Sequence, residues 1–94
     1  MDDRKMESRE EILKRLRRIE GQVKGIQKMV EEDKSCTEIL TQVAAVRAAI
    51  NKAGGLILEK HSRTCLENAV TSDNREQALK ELTRTMQSFM RFVE

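Results

Sequence analysis

The sequence contains no proline, no tryptophan and no tyrosine, and only two phenylalanines and four glycines among its 94 residues. Helix-breaking residues are therefore scarce, and so are the aromatic residues that favour strands. The remaining composition is rich in Glu, Lys, Arg, Leu, Ile and Ala, which is typical of helices. The sequence predicts an all-α protein.

Long apolar runs are absent as well. No run approaches the roughly 18 residues of a membrane span, and the first residues, Met1 to Arg4, lack the apolar stretch of a signal peptide. We expect a cytoplasmic protein with no membrane partner and with its two cysteines as thiols. The chain is expected to form a single domain over residues 1–94, small enough for oligomerisation to add stability.

Three segments show apolar residues at the spacing of three and four that is typical of amphipathic helices. The first should end between Glu31 and Asp33, the second should extend to about Val70, and residues 71–74 should form a turn before the third. Each start is indicated by a polar cap with Glu three residues later: Ser8 with Glu11, Ser35 with Glu38, and Asp73 with Glu76.

The apolar stripe of the second helix is too long for the two shorter helices of one small domain to bury. It consists of Ile39, Val43, Val46, Ile50, Ala53, Ile57, His61 and Cys65. A helix of that length spans about 50 Å, so we expect an antiparallel, four-helix-bundle-like dimer built on helix two. The alanines at 44, 45, 48 and 49 would allow two such helices to cross closely, although alanine is also simply a good helix former.

Cys36, His61 and Cys65 are the candidate metal ligands. His61 and Cys65 are four residues apart, which places them on one helix face, one turn from each other. Taken alone, such a pair is more often found as ordinary core or surface residues. Cys36 lies 25 residues before His61, about 38 Å along a continuous helix, so it cannot join them within one chain.

In an antiparallel dimer, Cys36 of one chain lies opposite residues 61–65 of the other. The two-fold axis then passes between Ala49 and Ile50, at the end of the alanine cluster. Each of two symmetric sites offers two thiolates and one imidazole, a soft set that suits Cu(I) best and leaves zinc possible. Nickel and cobalt would use more nitrogen and oxygen ligands, and His61 is the single histidine of the chain.

The stretch from Arg15 to Ile26, RLRRIEGQVKGI, followed by Cys36 and by His61-x-x-x-Cys65, resembles the CsoR/RcnR family of bacterial repressors. The resemblance spans residues 9–82 and implies an all-α dimer that pairs into a tetramer, a dimer of dimers, and binds operator DNA. The Cys–His–Cys set resembles that of the copper sensors. Nickel and cobalt members carry further histidines, persulfide sensors lack the histidine, and formaldehyde sensors rely on a proline near the N-terminus.

The resemblance also implies a role for Glu81 as an acid that hydrogen-bonds the ligating histidine and fixes its tautomer. A solvated glutamate on helix three is the alternative. Copper sensors of the family often have Tyr just before the first cysteine, where this chain has Ser35. That difference leaves the route from the metal to the DNA surface open.

A basic face on the first helix is the candidate DNA contact. Between Lys14 and Lys28 there are six basic residues and one acidic residue. A solvated helix face is the plain alternative, and the net charge of +2 does not by itself indicate nucleic acid. The candidate contacts with double-stranded operator DNA, of which the resemblance points to the two arginines, are Lys14, Arg15, Arg18, Gln22 and Lys52.

The sequence thus predicts a Cu(I)-responsive transcriptional repressor, whose metal-free tetramer binds an operator and releases it when Cu(I) binds, derepressing copper-resistance genes. The first alternative is a thiol-, persulfide- or zinc-responsive repressor of the same fold. The second is a helical assembly protein with incidental thiols. An enzyme is not expected, because no nucleophile, base and orienting group occur together within a chain.

Overall fold

A computed structural model of the chain contains three α-helices: α1 (Asp2–Glu31), α2 (Cys36–Thr71) and α3 (Arg75–Arg91). The structure describes the backbone of residues 2–71 and 75–91, and the side chains of residues 8–67 and 75–91. This part of the chain contains no strand, so the predicted all-α class with three helices is confirmed. No helix within it is both long enough and apolar enough to cross a membrane.

The first helix begins earlier than its capping signal predicts. It begins at Asp2, so the prediction of Ser8 as its N-cap is wrong, and Ser8 lies inside α1. The physical reason lies in the preceding residues. Residues 1–7 include no proline or glycine, and Arg, Lys, Met and Glu are strong helix formers, so nothing prevents the helix from continuing towards the N-terminus.

The connection between α1 and α2 is a tight reversal at Asp33. Asp33 adopts the left-handed conformation, with φ of 54°. The Lys34 amide donates to the carbonyl of Met29 (3.0 Å), and the Asp33 amide donates to that of Val30 (3.1 Å). These are the two hydrogen bonds of a Schellman motif, which here ends α1 without the usual glycine. The predicted end of the first helix is confirmed.

The second helix begins as its cap predicts. Ser35 Oγ accepts a hydrogen bond from the Glu38 amide (3.2 Å), and the Ser35 carbonyl accepts one from the amide of Ile39 (3.0 Å). The helix ends at Thr71, one residue beyond its predicted end. Residues 72–74 of the predicted turn, together with the predicted Asp73 cap, lie outside the described residues.

The chain divides into two compact units, Met1–Ala53 and Gly54–Glu94, and each contains part of α2. In the first unit, Ile12 and Ile19 of α1 are buried two turns apart on one side of the helix, and Ala53 of α2 is buried at 1% exposure. These three residues are the buried apolar side chains described in this unit.

The second unit pairs the C-terminal part of α2 with α3 in antiparallel order. Gly54 lies against the ring of Phe89, and the Cys65 thiol donates a hydrogen bond to the carbonyl of Ala78 (3.2 Å). A Cβ at Gly54 would lie 2.6 Å from Cε1 of Phe89, so any larger residue would require that ring to shift. Leu82, which lies between Ala78 and Phe89 in the sequence of α3, is buried and belongs to the core of this unit.

The apolar stripes of α1 and α2 are each divided into a buried row and an exposed row. In α2, Ala53 is buried and Ile39 and Val46 are half-buried. A second row on the same helix is left exposed, at 57%, 41%, 45% and 46% for Leu40, Val43, Ile50 and Ile57. We call these four residues the exposed row of α2. The first helix repeats the pattern, since Ile12 and Ile19 are buried whereas Leu16, Val23 and Val30 are exposed.

Candidate metal and nucleic-acid sites

Cys36 is the first residue of α2, and its backbone position is fixed by the Ser35 cap. The side chain is exposed and the thiol is free. It shares a helix side with the exposed row, because Val43, Ile50 and Ile57 follow it at intervals of seven residues. Cys36 therefore lies at the N-terminal end of an apolar row that the described residues of its own chain leave exposed.

His61 and Cys65 lie one turn apart near the C-terminal end of the same helix. His61 is exposed and continues the exposed row, four residues after Ile57. Cys65 is half-buried, and its free thiol donates to the carbonyl of Ala78 on α3. The pair thus presents one nitrogen ligand and one sulfur ligand, with the sulfur also in contact with α3.

One chain does not gather these ligands into a cluster. Within the described residues no group of three or more His, Cys, Asp or Glu side chains is placed to hold a metal ion. This agrees with the length of helix that separates Cys36 from His61, about 38 Å at the α-helical rise. A three-ligand site built from these residues therefore needs a second chain.

Glu81 forms its hydrogen bond within its own helix. Glu81 is exposed on α3, and its Oε1 accepts a hydrogen bond from Nε2 of Gln77, one turn earlier, at 3.5 Å. Among the described side chains, His61 makes no hydrogen bond with it. The role that the resemblance implies for Glu81 stays a prediction.

The candidate DNA contacts on α1 differ in how free they are. Lys14 and Arg18 are exposed. Arg15 is half-buried, and its guanidinium pairs with Oε1 of Glu11, one turn earlier, at 3.3 Å. The Arg15–Glu11 pair was missed in the reading of the sequence, although acid and base at i and i+4 are a readable signal. An exposed pair of this kind contributes little to stability, so it does not prevent Arg15 from turning to an anion.

Among the described residues, two buried polar atoms on α1 have no hydrogen-bond partner. They are Nε of Arg15 and Oε1 of Gln22, on residues two turns apart along one side of the helix. Unpaired buried polar atoms are uncommon in folded proteins, and they indicate a partner outside the chain or an ordered water. Lys52, the remaining candidate, is exposed on α2.

Known proteins resemble this chain over nearly its whole length. The sequence pattern of the family described as metal-sensitive transcriptional repressors matches residues 8–88. The chain belongs to this family. It is therefore a member of a class of transcriptional regulators and not of a family of enzymes.

Two relatives with similar sequences are named as copper-sensing transcriptional repressors. The chain is 40% identical over 89 residues to the copper-sensing transcriptional repressor CsoR of Bacillus subtilis, covering 95% of this chain and 88% of the relative. It is 49% identical over 57 residues to the copper-sensing transcriptional repressor RicR of Mycobacterium tuberculosis, covering 61% of this chain and 59% of that relative.

Two solved structures share the fold. The copper-sensing repressor CsoR of Geobacillus thermodenitrificans, solved with Cu(I), has a TM-score of 0.78 and 44% identity, and covers 86% of this chain and 84% of that one. The nickel-responsive regulator InrS has a TM-score of 0.75 and 41% identity, and covers 85% of this chain and 90% of that one. Because the same fold occurs in a copper and a nickel protein, the fold does not choose the metal. The ligands must.

Proposed function

We propose that this chain is a Cu(I)-responsive transcriptional repressor. The observation that carries the proposal is the exposed row of α2, with Cys36 at one end and His61, followed by Cys65, at the other. Four large apolar side chains are left in water by a single chain. An antiparallel second copy covers them and brings its Cys36 to His61 and Cys65 of the first.

The donor set favours copper over nickel. Two thiolates and one imidazole are soft ligands in the number that suits Cu(I), whereas nickel sites use more nitrogen and oxygen ligands. His61 is the single histidine of the chain. The names of CsoR of Bacillus subtilis and RicR support the same choice. In each site His61 and Cys65 come from one chain and Cys36 from the other, and Glu81 is the expected acceptor for the second imidazole nitrogen.

The whole chain acts as one regulatory domain in this proposal, and two dimers pair into a tetramer that binds operator DNA inside the cell. Arg15, Arg18, Lys14, Gln22 and Lys52 are its proposed DNA contacts. Metal binding releases the operator only if Cu(I) binds more tightly to a quaternary state with low DNA affinity, because coupling between two ligands is reciprocal. A coupling of a few kcal/mol gives a hundredfold change in DNA affinity.

An anaerobic Cu(I) titration of the reduced protein against a high-affinity chelator tests the metal site. We expect one tight Cu(I) per chain in the wild type and much weaker binding in His61→Ala. Glu59→Ala is the matched control, since Glu59 is exposed and on the opposite side of α2 from His61. Absence of competition with the chelator in the wild type would remove copper sensing. Tighter binding of Zn(II) or Ni(II) than of Cu(I) would assign the site to another metal.

The repressor function needs a second measurement. The operator is obtained by selection from a random duplex library with metal-free protein, and its affinity is followed by fluorescence anisotropy with and without Cu(I). Cys36→Ala and His61→Ala should keep DNA binding and lose release by Cu(I). A sensor based on the two thiols alone would tolerate His61→Ala, and an assembly protein would select no duplex at all.

A further inference from the structure

Neither the backbone conformation nor the packing of the described residues requires the two glycines in the middle of α1. Gly21 and Gly25 are exposed and one turn apart, and neither has a positive φ that would require glycine. A Cβ added at either position meets nothing within 4 Å. Glycine destabilises the interior of a helix relative to alanine, so both positions weaken α1 although no contact within the described residues requires glycine there. Gly54, where a Cβ would overlap Phe89, shows the opposite case.

The surroundings of this glycine pair are basic. At 100° per residue, five of the six basic residues between Lys14 and Lys28 lie within about 80° of the line through the two glycines. Glu20, the one acidic residue of that stretch, lies about 120° away. The five are all exposed: Lys14, Arg17, Arg18, Lys24 and Lys28. A strip of bare helix backbone is thus bordered by five cations, of which Lys28 pairs with Oε1 of Glu32 at 3.9 Å. The exposed positive charge is what an anionic partner requires.

We propose that Gly21 and Gly25 let the sugar–phosphate backbone of duplex DNA lie directly against the backbone of α1, where the five surrounding cations contact phosphates. This inference rests on the proposed DNA-binding function and adds the residues that set how closely the duplex approaches. The absence of a Cβ lets the phosphates come near enough for short lysine and arginine contacts on both sides of the strip.

A second copy of the chain fits this surface poorly. Two copies meeting here would bring ten cations together, and like charges facing each other across an interface oppose association. The strip also offers no large apolar side chain to bury. Duplex DNA, with a phosphate charge along each strand, complements it.

The test compares Gly21→Ala, Gly25→Ala and the double variant with Gly55→Ala. Gly55 is the matched control, because it is also an exposed mid-helix glycine with nothing within 4 Å of an added Cβ, but belongs to α2 and not to α1. Each variant is measured for thermal unfolding, for oligomeric mass, and for metal-free binding to a mixed-sequence 30-base-pair duplex and to the selected operator. Anisotropy at several salt concentrations gives the number of phosphate contacts.

All the variants should unfold a few degrees higher than wild type, because alanine stabilises a helix. Gly21→Ala and Gly25→Ala should bind both duplexes about tenfold more weakly, and the double variant should lose about one phosphate contact from the salt dependence. Gly55→Ala should keep wild-type affinity.

Three results would overturn the inference, and they differ from one another. If wild type binds the duplexes and the glycine variants bind equally well, close approach at α1 is wrong while the repressor function stands. If the variants lose oligomeric mass, the strip contacts a second copy. If wild type binds neither duplex, the proposed DNA-binding function fails together with this inference.

Discussion

The two apolar rows of α2 have the same kind of side chain and opposite surroundings. The row of Ile39, Val46 and Ala53 is buried or half-buried within the chain, whereas the side chains of the exposed row are 41–57% exposed although three of the four are Leu or Ile. In the proposed dimer, the exposed row is the surface that a second copy covers. The comparison shows that packing within one chain explains only some of the apolar positions of the sequence. We propose that a second chain or DNA explains the others.

The strongest way to break this comparison is to place a charge in the exposed row. Ile50→Asp should convert the proposed dimer to monomer and weaken association by on the order of a thousandfold, because a carboxylate without a partner is costly to bury. Tight Cu(I) binding should be lost with it, since each proposed site takes ligands from two chains. Analytical ultracentrifugation measures the mass, and Ile50→Met, which preserves volume, is the control. A dimeric Ile50→Asp protein would contradict this use of the row.

The buried side of α1 should respond differently. Ile19→Ala removes most of a side chain that is 6% exposed and should lower the free energy of unfolding by about 2–4 kcal/mol. The oligomeric mass at a protein concentration well above the dissociation constant should not change. Denaturant unfolding and ultracentrifugation test the two parts. Loss of mass without loss of stability would mean that Ile19 belongs to an interface.

The adjacent glycines of α2 sharpen the comparison at a single point. Gly54→Ala should destabilise the protein by about 1–3 kcal/mol, because the new Cβ would overlap the ring of Phe89, whereas Gly55→Ala should stabilise it by about 0.5–1 kcal/mol. In a Phe89→Leu background the cost of Gly54→Ala should fall. A double-mutant cycle from thermal unfolding measures this coupling, and additive effects would show that the ring is not the cause.

The smallest expected effect is at the connection before α2. Asp33→Gly should raise the free energy of unfolding by about 0.5–1 kcal/mol, because glycine adopts the left-handed conformation without strain. The melting temperature should rise by a few degrees with unchanged mass and Cu(I) affinity. Asp33→Ala, which keeps a Cβ, should be less stable than wild type. Equal stability of the two variants would refute strain at this position.

Much of the fold was predictable from local signals. The Ser35 cap, the end of α1 and the length of α2 each follow from residues within a few positions of one another. The Ser8 prediction was wrong because a capping residue begins a helix only where the residues before it are not helical. Here the helix already begins at Asp2. Local patterns name possible boundaries, and the neighbouring residues decide among them.

The contacts of the candidate sites were harder to predict. Gly54 with Phe89, and Cys65 with Ala78, join residues on different helices whose relative register no spacing rule gives. The candidate ligands themselves were predictable, because soft side chains are few in this sequence. In the proposed site they come from two chains, and spacing rules within one chain do not give the distance between residues of two chains.

Cys36 and His61 lie on one continuous helix, so the number of residues between them fixes both their separation along α2 and the angle between their side chains. One residue inserted between them would turn His61 by about 100° and advance it by about 1.5 Å relative to Cys36. In an antiparallel pair the error occurs in both chains, so both sites fail at once. Changes of length in this stretch should be lethal to sensing, whereas the connection at Glu32–Ser35 should accept them. A seven-residue insertion would return His61 to the same side of α2 relative to Cys36. The two proposed sites should then form only when both chains carry the insertion.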